Sequence, residues 1–581
     1  MIKYEGGNIM KPQKIKFYSL IIMILLILVL QVPYVSAANI YVDKALASNC
    51  TAGNYSTTNR TCSGSDGNAY TTIQAAINNC SVGDSIFMRG GTYKEIGIDI
   101  PESKNGTAWT NGYFTTLSSY SGEWAIIDGT GLNTTSDWTR QAIITHPTGY
   151  DVQSSALITK YWKFERFEVT GGRAGFFLKG GPMWFRYLYI HNNGRDYGDS
   201  IQAGILIPIG MDNIIEYCWF KDNFAPDGAS QNANNSNILI DADYRDTSDN
   251  GGNGLAFDSN LCIKNNEIRY NLIEGSFRGI RHKNQQRFGY NNRNPNDMTY
   301  KNYGDKIHHN IVLNAGDASI VIGQDFIQIY NNITDNSIES TQNGDMPATY
   351  NSTIYNNTVI GTHDSFLLSS GLTQSGSSFL NYYDSGSQQT VHPHVYFYNN
   401  ISSGTGSGWH ELPFILAWDM PPDTSNPDRN WSNLVVDHNF VHSNSQGTPY
   451  LVGHQTTGAT CVIQTNTTTQ FNSCSATWRG IGTVLNWENS NSGLFVGSSG
   501  ADKYKTNGSF VIGSTTIKNG GIGGNHPYLT GKILPSYVGA TNPNDPKNNA
   551  WVDGVLSLSN TEVLKEGSKG APWWSPSIPS F

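Results

Sequence analysis

One short phrase keeps returning in this chain: an apolar residue, two polar or aromatic residues, an Asn, then an apolar pair. It reads IRYNLI from Ile268, IHHNIV from Ile307, IYNNIT from Ile329, IYNNTV from Ile354, FYNNIS from Phe397 and VDHNFV from Val436, with degenerate copies beginning at Phe164, Phe185 and Glu216. Asn310, Asn332, Asn357, Asn400 and Asn439 are spaced by one or two multiples of about 20-odd residues, and self-similarity at that period marks a solenoid. Each unit holds short runs with alternate apolar positions, such as ASIVIG from Ala318 and SFLLSS from Ser365, separated by Gly, Asn, Asp and Ser. That composition leaves no room for a helix in each repeat, so coils of parallel strands are expected. The predicted fold is all-β: a right-handed parallel β-helix over residues 38–444, with an N-terminal helical cap and an irregular β-rich C-terminal region over 445–581. Asn suits the bend between strands because it tolerates left-handed backbone and its amide can bond its counterpart one coil away. The Asn column is therefore read as structural.

The N-terminal segment agrees. An open stack of coils exposes apolar cross-section and free strand edges and requires a lid. NIYVD from Asn39, followed by YTTIQAAINNCSVGDSIFMRGGTYKE from Tyr70, resembles the start of secreted pectate-lyase-like β-helix proteins. The resemblance implies a capping helix over about Thr72 to Asn79 and a first coil formed by the Gly-Asp-containing stretch that follows it.

Ahead of this lies a leader. Lys11, Lys14 and Lys16 precede an apolar run from Phe17 to Val32, and Val35 to Ala38 supply small residues for cleavage, the order of a secretory signal over residues 1–37. An uncleaved anchor is the alternative, but the run is short of a ~20-residue span, so no stable membrane insertion is expected after cleavage. Loss of the leader removes four Lys and one Glu, making the mature chain more acidic than the −9 of the whole, which argues against nucleic acid as a partner. Seven Cys with no metal-ligand spacing fit an oxidising compartment, with one disulfide expected among Cys50, Cys62 and Cys80 and another between Cys461 and Cys474. Sequons at Asn49, Asn54, Asn59, Asn133, Asn332, Asn356, Asn400 and Asn466 permit glycosylation.

Two neighbouring segments break the repeat. The first carries Asp241, Asp243, Asp246, Asp249 and Asp258 on a Gly-rich stretch, the donor chemistry of a Ca2+ site, although a solvated acidic loop explains it as well. The second is basic, with Arg278, Arg281, His282, Lys283, Arg287, Arg293, Lys301 and Lys306 on an otherwise acidic protein. Outside a cell such a patch favours uronic-acid or sulfated polysaccharides, with Tyr290, Tyr300 and Tyr303 available to stack on sugar rings. GLAFD from Gly254 and GIRHK from Gly279 share one strand pattern, so adjacent coils would place Asp258 beside Lys283 and Ala256 beside Arg281. Alternation then turns Ile280 and His282 inward and Arg281 and Lys283 to solvent.

NLIEGSFRGIRHKN, from Asn271 to Asn284, resembles a segment of the chondroitinase-B-like alginate lyase family. The resemblance places Lys283 where that family's lysine removes the proton next to the uronate carboxylate, with Arg281 as the other candidate base. Three departures stand beside it: the family's metal-binding acid falls on Arg278 or Gly279, Asn284 replaces a Ser, and no following arginine motif is present. The chemistry implied is β-elimination, with Arg278, Arg287 and Tyr290 binding substrate and Ca2+ neutralising its carboxylate. A Trp-bearing interruption from Gly408 to Trp431 adds Trp409 and Trp418 as sugar platforms, or as packing onto the solenoid flank. The NTD, DD, GHG and RIK strings of polygalacturonase-type hydrolases are absent. The rival reading is a non-catalytic cell-surface adhesin or structural β-helix protein, because fold alone does not give function.

Overall fold

The structure is a computed structural model that describes residues 37–132, 141–146, 159–194, 202–208, 210–224, 235–241, 263–283, 304–322, 327–334, 336–340 and 352–359. Beyond these it describes the backbone of short strands between 366 and 534, with the side chains of Phe397, Asn399 and Asn400. Strands pair in parallel with the strand one coil away, and among the described residues they build a thirteen-stranded and a twenty-one-stranded sheet. Parallel strands joined through successive crossovers of one hand make a right-handed parallel β-helix, as the repeat predicts.

The repeated phrase lies along one edge of that stack, and each letter has a separate task. Its first apolar residue faces the core: Ile268 pairs with Ile307, Ile307 with Ile329, Ile329 with Ile354, and Ile354 with Phe397, all at most 1% exposed. The bend itself falls one residue before the Asn column. Tyr217, Tyr270, His309, Asn331, Asn356 and Asn399 adopt φ of 51 to 57° or close to it, at 53, 53, 55, 55, 53 and 54°. The column residues Asn271, Asn310, Asn332, Asn357 and Asn400 instead turn their amides inward and are fully buried.

The amides then form a continuous ladder. Asn310 Nδ2 donates to Asn332 Oδ1 at 3.0 Å and to the Ile268 carbonyl at 2.9 Å, while its backbone N–H donates to the same Oδ1 at 3.0 Å. Asn332 repeats this toward Asn357 and Ile307, and Asn357 toward Asn400 and Ile329. A second ladder runs Asn213 to Asn266 at 2.9 Å and ends on Asp305, which accepts from Asn266. Burial of Asn332, Asn356 and Asn400 also puts three of the sequon asparagines out of reach of a glycosylating enzyme in the folded protein.

At the N-terminal end the cap forms as expected. The helix Ile73–Asn79 follows Thr72, whose hydroxyl accepts from the Ala75 N–H, and buries Ile73, Ala76 and Ile77 on the first coil. Glu95 accepts from the backbone N–H groups of Ile73 and Gln74, satisfying donors that a helix start leaves open. Cys50 and Cys62 form a disulfide, and Cys80 stays reduced and buried. Tyr55 donates to buried Asp43, and Arg89 links Tyr55 to Glu123, tying the preceding loop to the coil edge. The Cys461–Cys474 pairing lies outside the described residues. Parallel pairing continues past residue 444 to Tyr450–Gln455, which lies beside Pro413–Trp418 and then meets Cys461–Ile463 antiparallel. Among the described residues no helix is long and apolar enough to cross a membrane.

Replacing a ladder amide strands the donors of the coil before it. Asn332→Leu is expected to cost at least about 2 kcal/mol, because two buried donors of Asn310 lose their acceptor; a lower denaturant midpoint with an unchanged slope is the check, and an unchanged midpoint contradicts the ladder's role.

Candidate functional site

The basic segment lies on the strand Leu272–Lys283, which spans a corner of the solenoid. Its first half pairs with Trp219–Lys221 and its second half with Ser236–Asp241. Gly275 makes the corner at φ 57°, where an added Cβ would lie 2.1 Å from Asp222 Oδ1, so any other residue there would have to displace that carboxylate. Past the corner the register is Leu239 to Arg281, Ile240 to His282 and Asp241 to Lys283. This corrects the expected pairing of Lys283 with Asp258 and of Arg281 with Ala256. Similar strings do not fix register here because coil length varies: successive amides of the Asn ladder are 39, 22, 25 and 43 residues apart. Hydrogen bonding, not string spacing, decides which residues become neighbours.

Ile280 and His282 face the core and are fully buried, as alternation predicts. His282 Nε2 lies 3.1 Å from Asp305 Oδ2, which joins this histidine to the end of the second amide ladder. Arg281 faces the other way, yet it is only 1% exposed and does not point to solvent as the sequence suggested. The physical reason lies in its row. Phe177, Leu206 and Leu239 precede it coil by coil, and Val321 follows. Phe177, Leu206 and Leu239 form a buried apolar cluster of their own with Ala142, Ala174 and Ala203, separate from the solenoid core. Arg281 thus sits within an apolar row, between Leu239 and Val321.

Arg278 is likewise buried, at 4%, and its Nε and Nη2 each lie 2.7 Å from Asp317 Oδ2 on the following coil. Its guanidinium is engaged by a carboxylate that the sequence reading did not single out. For Lys283 and Asp241 the backbone places the two opposite one another at the ends of paired strands. Trp418 closes the strand Pro413–Trp418, opposite Ser369 and Gln455. Asp243, Asp246, Asp249, Asp258, Arg287, Tyr290 and Trp409 lie outside the described residues, as does the disposition of the Lys283, Asp241 and Trp418 side chains. Among the described residues no group of three or more His, Cys, Asp or Glu is placed to hold a metal. One further cation belongs to this face. Lys179, two residues beyond Phe177, is 4% exposed, and with burial as the larger cause its charge pushes the His146 imidazole down to about 4.

Two histidine networks lie elsewhere in the fold. His191 Nε2 meets Glu168 Oε1 at 2.9 Å while its Nδ1 accepts from Asn192 Nδ2 at 2.7 Å. On the thirteen-stranded sheet, Asn331 Nδ2 meets His309 Nε2 at 3.0 Å, which leaves the His309 proton on Nδ1 to donate to His308 Nδ1 at 2.7 Å; His308 Nε2 then donates to Glu267 Oε1 at 2.8 Å. Arg269 binds the same Glu267 at 3.0 Å and continues to Glu216 at 2.7 Å. Both rings of this relay and the ring of His191 have each nitrogen occupied, so these networks hold coils together and offer no proton acceptor to a ligand.

No family model matches the sequence, and no curated protein is similar to it. Among solved structures, the chain is similar to the pectate lyase Pel9A, at 16% identity over 70% of this chain and 80% of that one with a TM-score of 0.37. It is similar to a PL6-family polysaccharide lyase from Pseudopedobacter saltans, at 13% identity over 72% and 91% with a TM-score of 0.35. It is also similar to an alginate lyase from a Paenibacillus species, at 13% identity over 60% and 90% with a TM-score of 0.29. At these scores the similarity carries no argument, and the assignment to the parallel β-helix fold stands on the strand pairing and amide ladders.

Two outcomes follow from these placements. Arg281→Ala empties a buried site and is expected to cost about 2–4 kcal/mol, read as a drop in the denaturant midpoint; a midpoint equal to wild type would mean the guanidinium is dispensable to the fold. The His308–His309–Glu267 relay makes stability fall in acid. Burial lowers both histidines below the ordinary imidazole value, and the hydrogen bond from His308 holds Glu267 at about 2. Depressed pKa values mean the unfolded chain binds protons first, so the histidine contribution is full above about pH 6.5 and declines below it, and the Glu267 contribution declines from about pH 4.5 toward 2. His309→Asn, which installs the residue found at 331, 356 and 399 of the same column, is expected to flatten the decline of the thermal midpoint between about pH 7 and pH 5; an unaltered slope would contradict the relay.

Proposed function

We propose that the protein is exported, its leader over residues 1–37 being removed, and that it binds an acidic, uronic-acid polysaccharide and cleaves it by β-elimination with Lys283 as the base. The observation that carries this reading is the register of Asp241 opposite Lys283 at the paired ends of two strands, with buried Arg281 two residues behind the lysine. Acid and base of adjacent coils are about 4.8 Å apart along the stack, close enough to serve one sugar residue.

In the reaction the neutral Lys283 amine takes the carbon-5 proton, the electron pair left behind forms the carbon-4 to carbon-5 double bond, and the bond from carbon 4 to the glycosidic oxygen breaks. The leaving oxygen takes a proton from solvent water, and the Lys283 ammonium returns its proton to solvent to restore the neutral amine. Arg287, Tyr290, Trp409 and Trp418 would hold the chain on either side, and the acidic segment from Asp241 through Asp243, Asp246 and Asp249 to Asp258 would hold Ca2+, whose charge offsets that of the uronate carboxylate when it is bound. Arg278, locked on Asp317, supports the strand from beneath, so its part is to position Lys283's strand. The disulfide between Cys50 and Cys62 accords with an oxidising destination.

Lys283→Ala is expected to abolish 4,5-unsaturated product, read by ultraviolet absorbance on a panel of uronic polysaccharides, with the thermal midpoint within about 0.5 kcal/mol equivalent of wild type. Removal of divalent cations with a chelator is expected to weaken binding, as is added salt. A wild-type chain that binds such a polysaccharide and releases no unsaturated product would replace the lyase with the adhesin.

A further inference from the structure

The thirteen-stranded sheet bears a strip of rings and cations on its outer side that the proposed reaction does not use. At one end is Trp109, 37% exposed, on the loop before the strand Thr115–Ser119; it and Tyr113, at 50%, are the exposed large hydrophobic residues among those described. The Trp109 ring meets Phe114 at 5.6 Å, Tyr161 at 5.4 Å and Trp184 at 5.9 Å, the last two edge-on. Such packing fixes the indole rigidly while leaving over a third of it in water.

Cations are interleaved with these rings. Lys163 Nζ lies 6.0 Å from the Phe114 ring and 5.7 Å from the Trp184 ring, and the Arg186 guanidinium lies 4.7 Å from Trp184 and 4.5 Å from Tyr187. Lys163 is paired with Glu165 at 3.1 Å, and Arg186 with Glu216 at 3.6 Å, although Glu216 is shared with Arg269. Arg166 is the cation left over. It is exposed, its guanidinium lies 5.9 Å from the Tyr187 ring, and it has no ion-pair partner among the described residues. Adjacent strands carry the strip, Lys163 opposite Trp184 and Glu165 opposite Arg186, so its members are held by backbone register and not by a loose surface loop.

A lone exposed Trp is ordinary. Here a rigid exposed indole opens onto a row in which rings and guanidinium groups alternate, and the row ends on an unpaired Arg. An extended ligand with apolar CH faces and anionic groups matches these two features: one pyranose ring stacks on the exposed Trp109 indole and a carboxylate further along the polymer reaches Arg166. We infer that the strip from Trp109 through Trp184 to Arg166 is a second, non-catalytic binding surface for a uronic-acid polysaccharide. This deepens the functional reading above and rests on it for the class of glycan. The surface lies on a different sheet from Lys283, so it holds a polymer chain on the protein without placing it in the reaction.

The test uses the full mature chain and affinity electrophoresis in gels containing alginate, polygalacturonate or neutral dextran, with product release measured in parallel. Trp109→Ala is expected to weaken retardation by the acidic polymers about tenfold, and Trp109→Tyr to restore most of it, which separates a binding role from a packing one. Arg166→Gln is expected to weaken retardation by both acidic polymers and reduce its salt sensitivity. Lys283→Ala is expected to lose product and keep the retardation that depends on Trp109. If Trp109→Ala and Arg166→Gln bind acidic polymer like wild type, the strip is no binding surface, and product release by the same variants would show the catalytic reading unharmed. Equal retardation by dextran overturns the anionic specificity. Retardation that depends on Trp109 in a wild-type chain that releases no product keeps the strip and sinks the lyase.

Discussion

The buried amide ladder is the interaction on which the rest depends. A parallel stack has no turn chemistry to fix its register, since each strand bonds to a partner a whole coil away in the chain. The column Asn271, Asn310, Asn332, Asn357 and Asn400 supplies that reference: from Asn310 onward each amide oxygen takes two bonds from the preceding Asn, and from Asn271 to Asn357 each amide nitrogen reaches the next Asn oxygen and a carbonyl of the preceding coil. A shift of one residue would bury a charged or aromatic side chain in place of an isoleucine and leave several amides unsatisfied. Register in turn places Asp241 opposite Lys283 and aligns the outer rows on which any site must be built.

The column beside the ladder shows how bend and bond are divided between two residues. The left-handed position carries Tyr187, Tyr217, Tyr270 and His309 before it becomes Asn331, Asn356 and Asn399. An aromatic residue is costly at positive φ, and stacking offsets that cost: Tyr187 meets Tyr217 at 5.4 Å, Tyr217 meets Tyr270 at 5.3 Å, and Tyr270 meets His309 at 4.8 Å. Where the rings stop, Asn takes over, with its lower intrinsic cost. One position earlier the order is reversed, charged Glu216 and Arg269 giving way to rings, where His308 stacks on Tyr330 and Tyr330 on Tyr355.

Charge on the outer faces is arranged mostly to hold coils to one another. Glu216 collects Arg186, Arg269 and the Trp184 indole N–H; Arg278 reaches Asp317; Glu168 collects Trp124 and His191. These pairs consume the titratable groups that a sequence scan would credit with chemistry. Among the described residues these pairs leave over the exposed Arg166, and ligand chemistry can be sought there.

The sequence by itself determined the architecture: the Asn-centred phrase, its alternating apolar flanks and the capping helix over Thr72 to Asn79 are local signals, and each appears in the structure where the spelling put it. It also determined that Ile280 and His282 face inward, because alternation along a strand is a local property. The tertiary structure alone decided which residues are neighbours between coils and which outer residues reach water. Loop length between coils is unconstrained by the repeat, so spacing pointed to Asp258 while hydrogen bonding chose Asp241 for Lys283. Exposure depends on the whole row, so Arg281 looked solvent-facing in its strand and is buried behind Phe177, Leu206 and Leu239, while Trp109, in a stretch with no repeat to flag it, stands exposed against Trp184. Local pattern fixes the direction of a side chain; only packing of distant segments fixes what it meets.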